Sequence, residues 1–313
     1  MSAPETSANP AQTKRIIVAV NPNASFGKNR AVGPAAVEKL RALGHNVTML
    51  LEPDFQQLLL RAHAEIASKP DAFVVIGGDG MVNLGVNMVA GTTVALGLIP
   101  TGTGNDMARA LGIPYSDVDA AIAALDEALT RPPRTIDAAY ASSDDGEGRW
   151  FGCMMSAGFD ALVNERANNM NRPKGASRYT LALLLELAKL RRIEYTLTMD
   201  GVVTTTGASL VCVGNGQSLG GGMKVTPTAL LDDGLLDVLV VQPLSRFTFM
   251  RIFPSVFSGN HLRDPRVNVH KVKQVRIESP GVVAYADGDR FAPLPIDIEV
   301  RPGALRVLAP AVS

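Results

Sequence analysis

Asp71-Ala72-Phe73-Val74-Val75-Ile76-Gly77-Gly78-Asp79-Gly80-Met81-Val82-Asn83 is the stretch that decides how this chain is read. Four apolar residues in a row, two of them valine, have the form of a strand buried on both faces of a parallel sheet. The run empties into Gly-Gly-Asp-Gly, and a helical pattern starts at Met81. Glycines at the end of a buried strand let backbone amides approach a ligand that a Cβ would hold off. The helix start that follows offers unpaired N–H groups to an anion. The combination suits a phosphate, although short glycine turns between strands and helices are common.

The same grammar repeats on either side. Upstream, residues 15–20 read as a strand leaving into Asn21-Pro22-Asn23-Ala24-Ser25-Phe26-Gly27-Lys28. The Gly-Lys pair is not a P-loop: Pro22 stands where its first glycine belongs, and Asn29 replaces the Ser/Thr that would hold magnesium. A helix over 31–43 with Gly44 as its stop, a strand over 47–51 and a helix over 55–68 follow. Downstream come a helix over 82–89, a strand over 93–99, the loop Pro100-Thr101-Gly102-Thr103-Gly104-Asn105-Asp106, and a helix over 107–111. Strand and helix alternate to about Leu129, which predicts a parallel sheet with ligands at the carboxyl ends of its strands. Three polar, glycine-bearing loops leave that one edge, and their convergence says more than any one loop.

The texture changes after Arg131-Pro132-Pro133-Arg134. Short β-rich runs fill residues 135–141, 150–155, 195–199, 202–206, 208–213, 236–241, 267–269, 275–277, 282–286 and 296–300, with one substantial helix over 178–192. Asp200-Gly201 and Asp287-Gly288 sit between such runs as hairpin turns do. The predicted fold is thus an N-terminal α/β domain with a parallel sheet and a C-terminal antiparallel β domain. Residues 1–13, rich in Ala, Pro, Ser and Thr, read as a disordered tail without the apolar core of a secretory signal.

Bulk properties exclude several classes. The 313 residues carry 30 basic and 30 acidic side chains, so no global field recruits nucleic acid. Cys153 and Cys212, the two cysteines, share no CxxC spacing, which fits a reducing cytoplasm. The apolar run 179–185 is too short to span a bilayer.

Several patterns invite chemistry. Gly216-Gln217-Ser218-Leu219-Gly220 matches the serine-hydrolase elbow, but Gly221, Gly222 and Pro227 deny it the helix that must follow. His45, His63, His261 and His270 lack paired ligand spacing. Asp232-Asp233-Gly234 is either a solvated turn or a hard-cation site. Asp287-Gly288-Asp289 adds a second carboxylate just after a turn. Residues 166–192 and 246–276 each hold seven basic residues against one acid. The second stretch interleaves Phe247, Phe249, Phe253 and Phe257, which suits either a membrane interface or a core-facing stripe.

Gly77-Gly78-Asp79-Gly80-x-x-Asn83, Pro100-x-Gly102-Thr103-x-Asn105-Asp106-x-Ala108-Arg109, Gly214-Asn215-Gly216, Gly220-Gly221-Gly222 and Asp233-Gly234-x-Leu236-Asp237 resemble, in order, the motifs of the diacylglycerol kinase catalytic family. Asn21-Pro22, Asp137, Ser156-Ala157-Gly158-Phe159-Asp160, Pro227-x-Ala229 and Asp287-Gly288-Asp289 extend the likeness over about residues 15–310. The resemblance implies an NAD-kinase- and diacylglycerol-kinase-like α/β domain over 14–133, closed by the strand 304–310, and a β-sandwich domain over 134–303. It implies a cytoplasmic lipid kinase using ATP and Mg2+. Nucleotide would lie on Asn21, Asn23, Gly77, Gly78, Asp79, Gly80, Met81, Val82, Asn83, Gly102, Thr103 and Asn105. Leu230, Asp233 and Leu235 would hold a structural magnesium, and Asp289, with Asp287 beside it, would be catalytic. The expected partner is a diacylglycerol-like lipid at a membrane surface, without nucleic acid and with a homodimer undecided. Met81, Leu84 and Asp289 stand where the family usually has Thr, Glu and Glu. They leave a non-catalytic binding protein, or a kinase of a soluble acceptor, as alternatives.

Overall fold

A computed structural model describes residues 13–21, 31–158 and 192–311, together with Val163, Arg166, Met170, Ala182 and Glu186. The expected tail, the Gly27-Lys28 loop with Asn23, Phe159-Asp160 and nearly all of the expected helix over 178–192 lie outside the described residues.

The N-terminal half alternates as its pattern requires. It runs β1 (Arg15–Val20), α1 (Val32–Ala42), β2 (Asn46–Leu50), α2 (Phe55–Ile66), β3 (Ala72–Gly77), α3 (Asp79–Val89), β4 (Ala95–Pro100), α4 (Asp106–Ala110) and α5 (Val118–Leu129). All residues of β3 and β4 are buried. That is why they read as unbroken apolar runs: helices cover both faces. β3 pairs in parallel with β1 on one side and β4 on the other. Phe73, fully buried, faces one core with Val75, and Val74 faces the other with Ile76. Burying one such large side chain is worth about 1.5–3 kcal/mol. Asp54 caps α2 by accepting the Gln57 N–H at 2.9 Å, and Gly44 ends the α1 unit at φ 92°.

The second half contributes β5 (Arg134–Ser143), β6 (Gly148–Phe151), β7 (Met154–Gly158), β8 (Ile193–Met199), β9 (Val202–Ala208), β10 (Leu210–Gly214) and β11 (Leu236–Val241). After helix α6 (Arg246–Ile252) and 3-10 turns at Phe253–Ser258 and Asn260–Arg263 come β12 (Val267–Val272), β13 (Gln274–Glu278), β14 (Val283–Ala286), β15 (Asp289–Pro293) and β16 (Ile296–Leu308). An antiparallel sheet ordered β12-β11-β10-β7-β14-β15 packs against the other sheet of the sandwich. Residues 150–155, expected as one strand, divide into β6 and β7 around Gly152-Cys153.

The two halves share a sheet. Its order is β2-β1-β3-β4-β16-β13-β8-β9, with β5 on β16 and β6 on β5. β16 is 13 residues long. It runs antiparallel to β13 and β5, then lies parallel to β4 at Val307↔Leu96 and Leu308↔Gly97. The sequence reads this stretch as two strands broken by Pro302-Gly303. In the structure those residues form an irregularity between Arg301 and Leu305 that β5 spans.

Candidate active site

The glycine loops after β3 and β4 meet at the carboxyl edge of the sheet. A Cβ on Gly78 would come within 3.1 Å of the Gly102 Cα, so neither loop tolerates a side chain at the crossing. α3 begins directly after Gly78 with no side-chain cap, and its first amides face an anion-favouring end of the helix.

Asp79 ties the loops together. Its Oδ2 accepts the Asn105 N–H at 3.1 Å and its Oδ1 the Asp106 N–H at 2.9 Å. Asn105 is left-handed at φ 54° and donates from Nδ2 to the Gly102 carbonyl at 2.9 Å, which closes the second loop on itself. Asp106, buried at the start of α4, reaches the other half of the protein. Its Oδ2 accepts the Gly221 N–H at 2.9 Å and its Oδ1 the Gly222 N–H at 2.8 Å. Both glycines have positive φ, 90° and 97°, which presents consecutive amides to one carboxylate. Sequence reading gave Asp106 and these glycines no role.

Below this edge a second knot forms. Asn215, fully buried, donates to the Asp137 carbonyl at 3.1 Å and the Gly152 carbonyl at 2.9 Å. Asp287 and Gly288, at φ 47° and 88°, form a two-residue turn between β14 and β15. The Asp287 carboxylate accepts N–H groups from Gly152 (2.8 Å), Cys153 (3.0 Å) and Met154 (2.8 Å). Asp289 opens β15 opposite Ala286 and reaches solvent.

Carboxylates dominate the electrostatics. Desolvation raises Asp79 most; the Asp106 and Asn105 amides pull it back, and the Asp106 carboxylate adds to the rise. Burial pushes Asp287 up to about 6 against its three amides, with Asp79 contributing. The buried Cys153 thiol lies well above its ordinary value through burial and the charges of Asp287, Asp106 and Asp79. Partial burial raises Asp289, and Arg149 lowers it.

The diacylglycerol kinase catalytic domain model matches residues 15–139, and the YegS C-terminal NAD kinase beta sandwich-like domain model matches residues 153–309. A diacylglycerol kinase of Mycobacterium tuberculosis is 38% identical over 297 residues, 95% of each chain. The chain belongs to the diacylglycerol kinase catalytic domain family. It is an enzyme of the diacylglycerol-kinase-like kind. A probable YegS-like lipid kinase of Chromohalobacter salexigens is 27% identical, covering 89% of this chain and 88% of its own. A putative diacylglycerol kinase from Bacillus anthracis shares the fold with TM-score 0.75 at 24% identity, covering 98% and 99% of the two chains. An NAD kinase from Archaeoglobus fulgidus, solved with ATP, does so with TM-score 0.53 at 13% identity over 94% and 93%.

Within this family member, the site residues gather as follows. Gly77 ends β3, Gly78 caps α3, and Asp79 and Gly80 open it; Gly102, Thr103 and Asn105 lie in the loop that Gly78 touches, and the Asn21 N–H bonds the Ile76 carbonyl at 3.3 Å beside them. Met81 packs against Gly77 of the first glycine loop, beside Asn21. Met81 and Leu84 are both 2% exposed and belong to the core under α3, with Val82. The departures at both positions from the family pattern therefore also change packing under α3. Asn83 is also buried, and its Nδ2 has no hydrogen-bond partner in the protein.

At the corner assigned to a structural magnesium, the Lys271 side chain meets the carboxylates. The Lys271 ammonium donates to Asp233 Oδ2 at 2.9 Å and the Thr228 carbonyl at 3.2 Å, and pairs with Asp237 Oδ1 at 3.1 Å. The other Asp233 oxygen accepts the Leu235 N–H at 3.1 Å. Partial burial opposes the charge on Lys271, but the hydrogen bonds to Asp233 and Asp237 outweigh it and raise its pKa. Among the described residues no group of three or more His, Cys, Asp or Glu could hold a metal. Asp233, the carboxylate assigned to the ion beside Leu230 and Leu235, is thus engaged by Lys271 in this structure. Asp232 pairs with Arg134 at 3.0 Å.

The remaining patterns are structural. No helix follows Ser218; Gly220 turns at φ 68°. His45 pairs with Asp126 at 2.8 Å, and buried His261 bonds the Val225 carbonyl through Nε2 at 2.9 Å.

Proposed function

We propose that this protein transfers the γ-phosphate of ATP, bound as its magnesium chelate, to the hydroxyl of a diacylglycerol-like lipid. The observation that carries the reading is the junction of the Gly78 and Gly102 loops, held by Asp79 and bridged through Asp106 to Gly221 and Gly222. Phosphoryl transfer asks for positioning and charge stabilisation more than covalent chemistry. Bare backbone at the loop crossing and the uncapped start of α3 supply close, preorganised N–H groups for phosphate oxygens. Asn83 adds a buried donor without a protein partner. The magnesium that arrives with ATP neutralises phosphate charge, which suits an edge rich in carboxylates.

Asp289 is the proton acceptor in this reading. Its carboxyl is held above the ordinary range, which strengthens it as a base. Asp287, pinned by three amides, fixes the turn that aims Asp289. No helix among the described residues is long and apolar enough to cross a membrane. In this reading the enzyme meets its lipid at a bilayer surface.

The test is phosphate transfer from labelled MgATP to a panel of micellar lipids, with NAD as a soluble control. Labelled diacylglycerol, lost in Asp289→Asn while ATP binding persists, supports the assignment. Labelled NAD alone, or full activity in Asp289→Asn, overturns the acceptor class or the base respectively.

A further inference from the structure

We propose that residues 246–263 are the surface on which this protein docks to an anionic lipid bilayer. Phe247, Met250 and Phe257 enter the interface, and Arg246, Arg251 and Arg263 meet headgroup phosphates. The inference rests on the lipid-kinase reading and adds where the bilayer sits.

None of the residues of α6 or of the 3-10 turn after it is buried. Phe247 is 89% exposed, with Met250 at 59% and Phe257 at 54%. Phe247 is the most exposed large apolar side chain among the described residues. Burying such a side chain is favourable, and here that energy is unused in the folded chain. The aromatic sequence resolves into two sets. Phe249 stacks on Phe253 with centroids 5.5 Å apart, and Phe253 meets Phe257 edge-on at 6.4 Å. The half-buried Phe249 and Phe253 thus hold a platform from which Phe247, Met250 and Phe257 project.

The platform is fastened to the catalytic edge. The Lys224 N–H donates to the Val256 carbonyl at 3.1 Å, and His261 bonds the Val225 carbonyl at 2.9 Å. The loop so anchored is the one whose Gly221 and Gly222 amides hold Asp106. A lipid lifted from a bilayer on this face lies one loop away from the phosphate-binding glycines.

Charge selects the occupant. Arg246, Arg251 and Arg263 are exposed, while the acid that follows the segment, Asp264, is bound by Arg266 through Nε at 2.8 Å and Nη2 at 2.7 Å. Exposed aromatics flanked by cations are the composition of an anionic membrane interface, where each Lys or Arg adds attraction to the headgroups. A second copy is the poorer partner, because a two-fold contact would set the same arginines against themselves.

The measurement is co-sedimentation with vesicles of phosphatidylcholine alone or mixed with phosphatidylglycerol. Wild-type protein is expected to bind the mixed vesicles in a salt-sensitive way. Phe247→Ser/Met250→Ser should lose about tenfold or more in partitioning, with Tm and ATP binding unchanged because both side chains lie in solvent. Arg246→Gln/Arg251→Gln should weaken binding to the mixed vesicles and remove most of its salt dependence. Wild-type partitioning in the Phe247/Met250 variant, or no vesicle binding by the wild type, overturns the proposal. So does a dimer that this variant disperses while vesicle binding persists. If no lipid is ever phosphorylated but binding still depends on Phe247 and Met250, the kinase reading fails and the docking surface stands.

Discussion

Asp79 and Asp106 form a relay across the cleft: Asp79 accepts the backbone N–H of Asp106 at 2.9 Å, and the Asp106 side chain accepts two amides from the opposite half. One carboxylate orders the start of α4 so that the next can hold the Gly221–Gly222 loop. Asp106→Ala leaves two amides without their charged acceptor, each such bond being worth about 1.5–3 kcal/mol. Phosphate transfer should fall at least a hundredfold and Tm should drop, with Asn restoring part of both through its one carbonyl. Wild-type rates and Tm in Asp106→Ala would remove the relay from the mechanism.

Leu84→Glu, which restores the residue usual in the family, should not raise activity. Leu84 is in the core under α3, so an unpaired carboxylate there costs about 3 kcal/mol or more. Urea unfolding is the check, and a stable, faster Met81→Thr/Leu84→Glu enzyme contradicts the core assignment.

Asp287 couples stability to pH. Its carboxyl is raised from 3.8 to about 6 in the folded protein, so the folded state binds this proton more tightly than the unfolded chain does. The stabilisation is fully present below about pH 4 and is lost as pH rises through 6. Asp287→Asn cannot titrate and turns an N–H toward an amide donor. Wild type should therefore exceed it in stability by a margin that widens as pH falls from 7 to 4. A margin constant over that range refutes the coupling.

Lys271→Met strands Asp233 and buried Asp237 without their ammonium. Because Lys271 is partly exposed, the expected loss is moderate, about 1–3 kcal/mol. Wild-type Tm should ignore EDTA, whereas the variant should regain stability in millimolar magnesium or calcium. A wild-type Tm that falls on chelation shows that a divalent ion, not Lys271, balances this corner.

How much of this was legible in the sequence depended on the range of the interaction. β3 and β4 were legible because strands covered on both faces leave unbroken apolar runs, and their glycines mark the edge directly. The Asp106 clamp was not, since its partners lie 115 and 116 residues away. Lys271 reads as any surface lysine until the antiparallel register of β11 and β12 sets it opposite Asp237. β15 escaped notice because exposed Asp289 and Arg290 break its apolar pattern. The burial of Met81 and Leu84 under α3 is likewise not written in the family pattern.

Long β16 also has a consequence for how the chain is made. On the ribosome, the Rossmann-like first half emerges with β3 covering one side of β4, but the other side of β4 waits for Val307 and Leu308. Until nearly the last described strand is synthesised, a fully apolar strand keeps a row of free backbone donors and acceptors. The nascent first half is accordingly a candidate for chaperone holding, and a protein cut between the halves would inherit an adhesive edge rather than an independent domain.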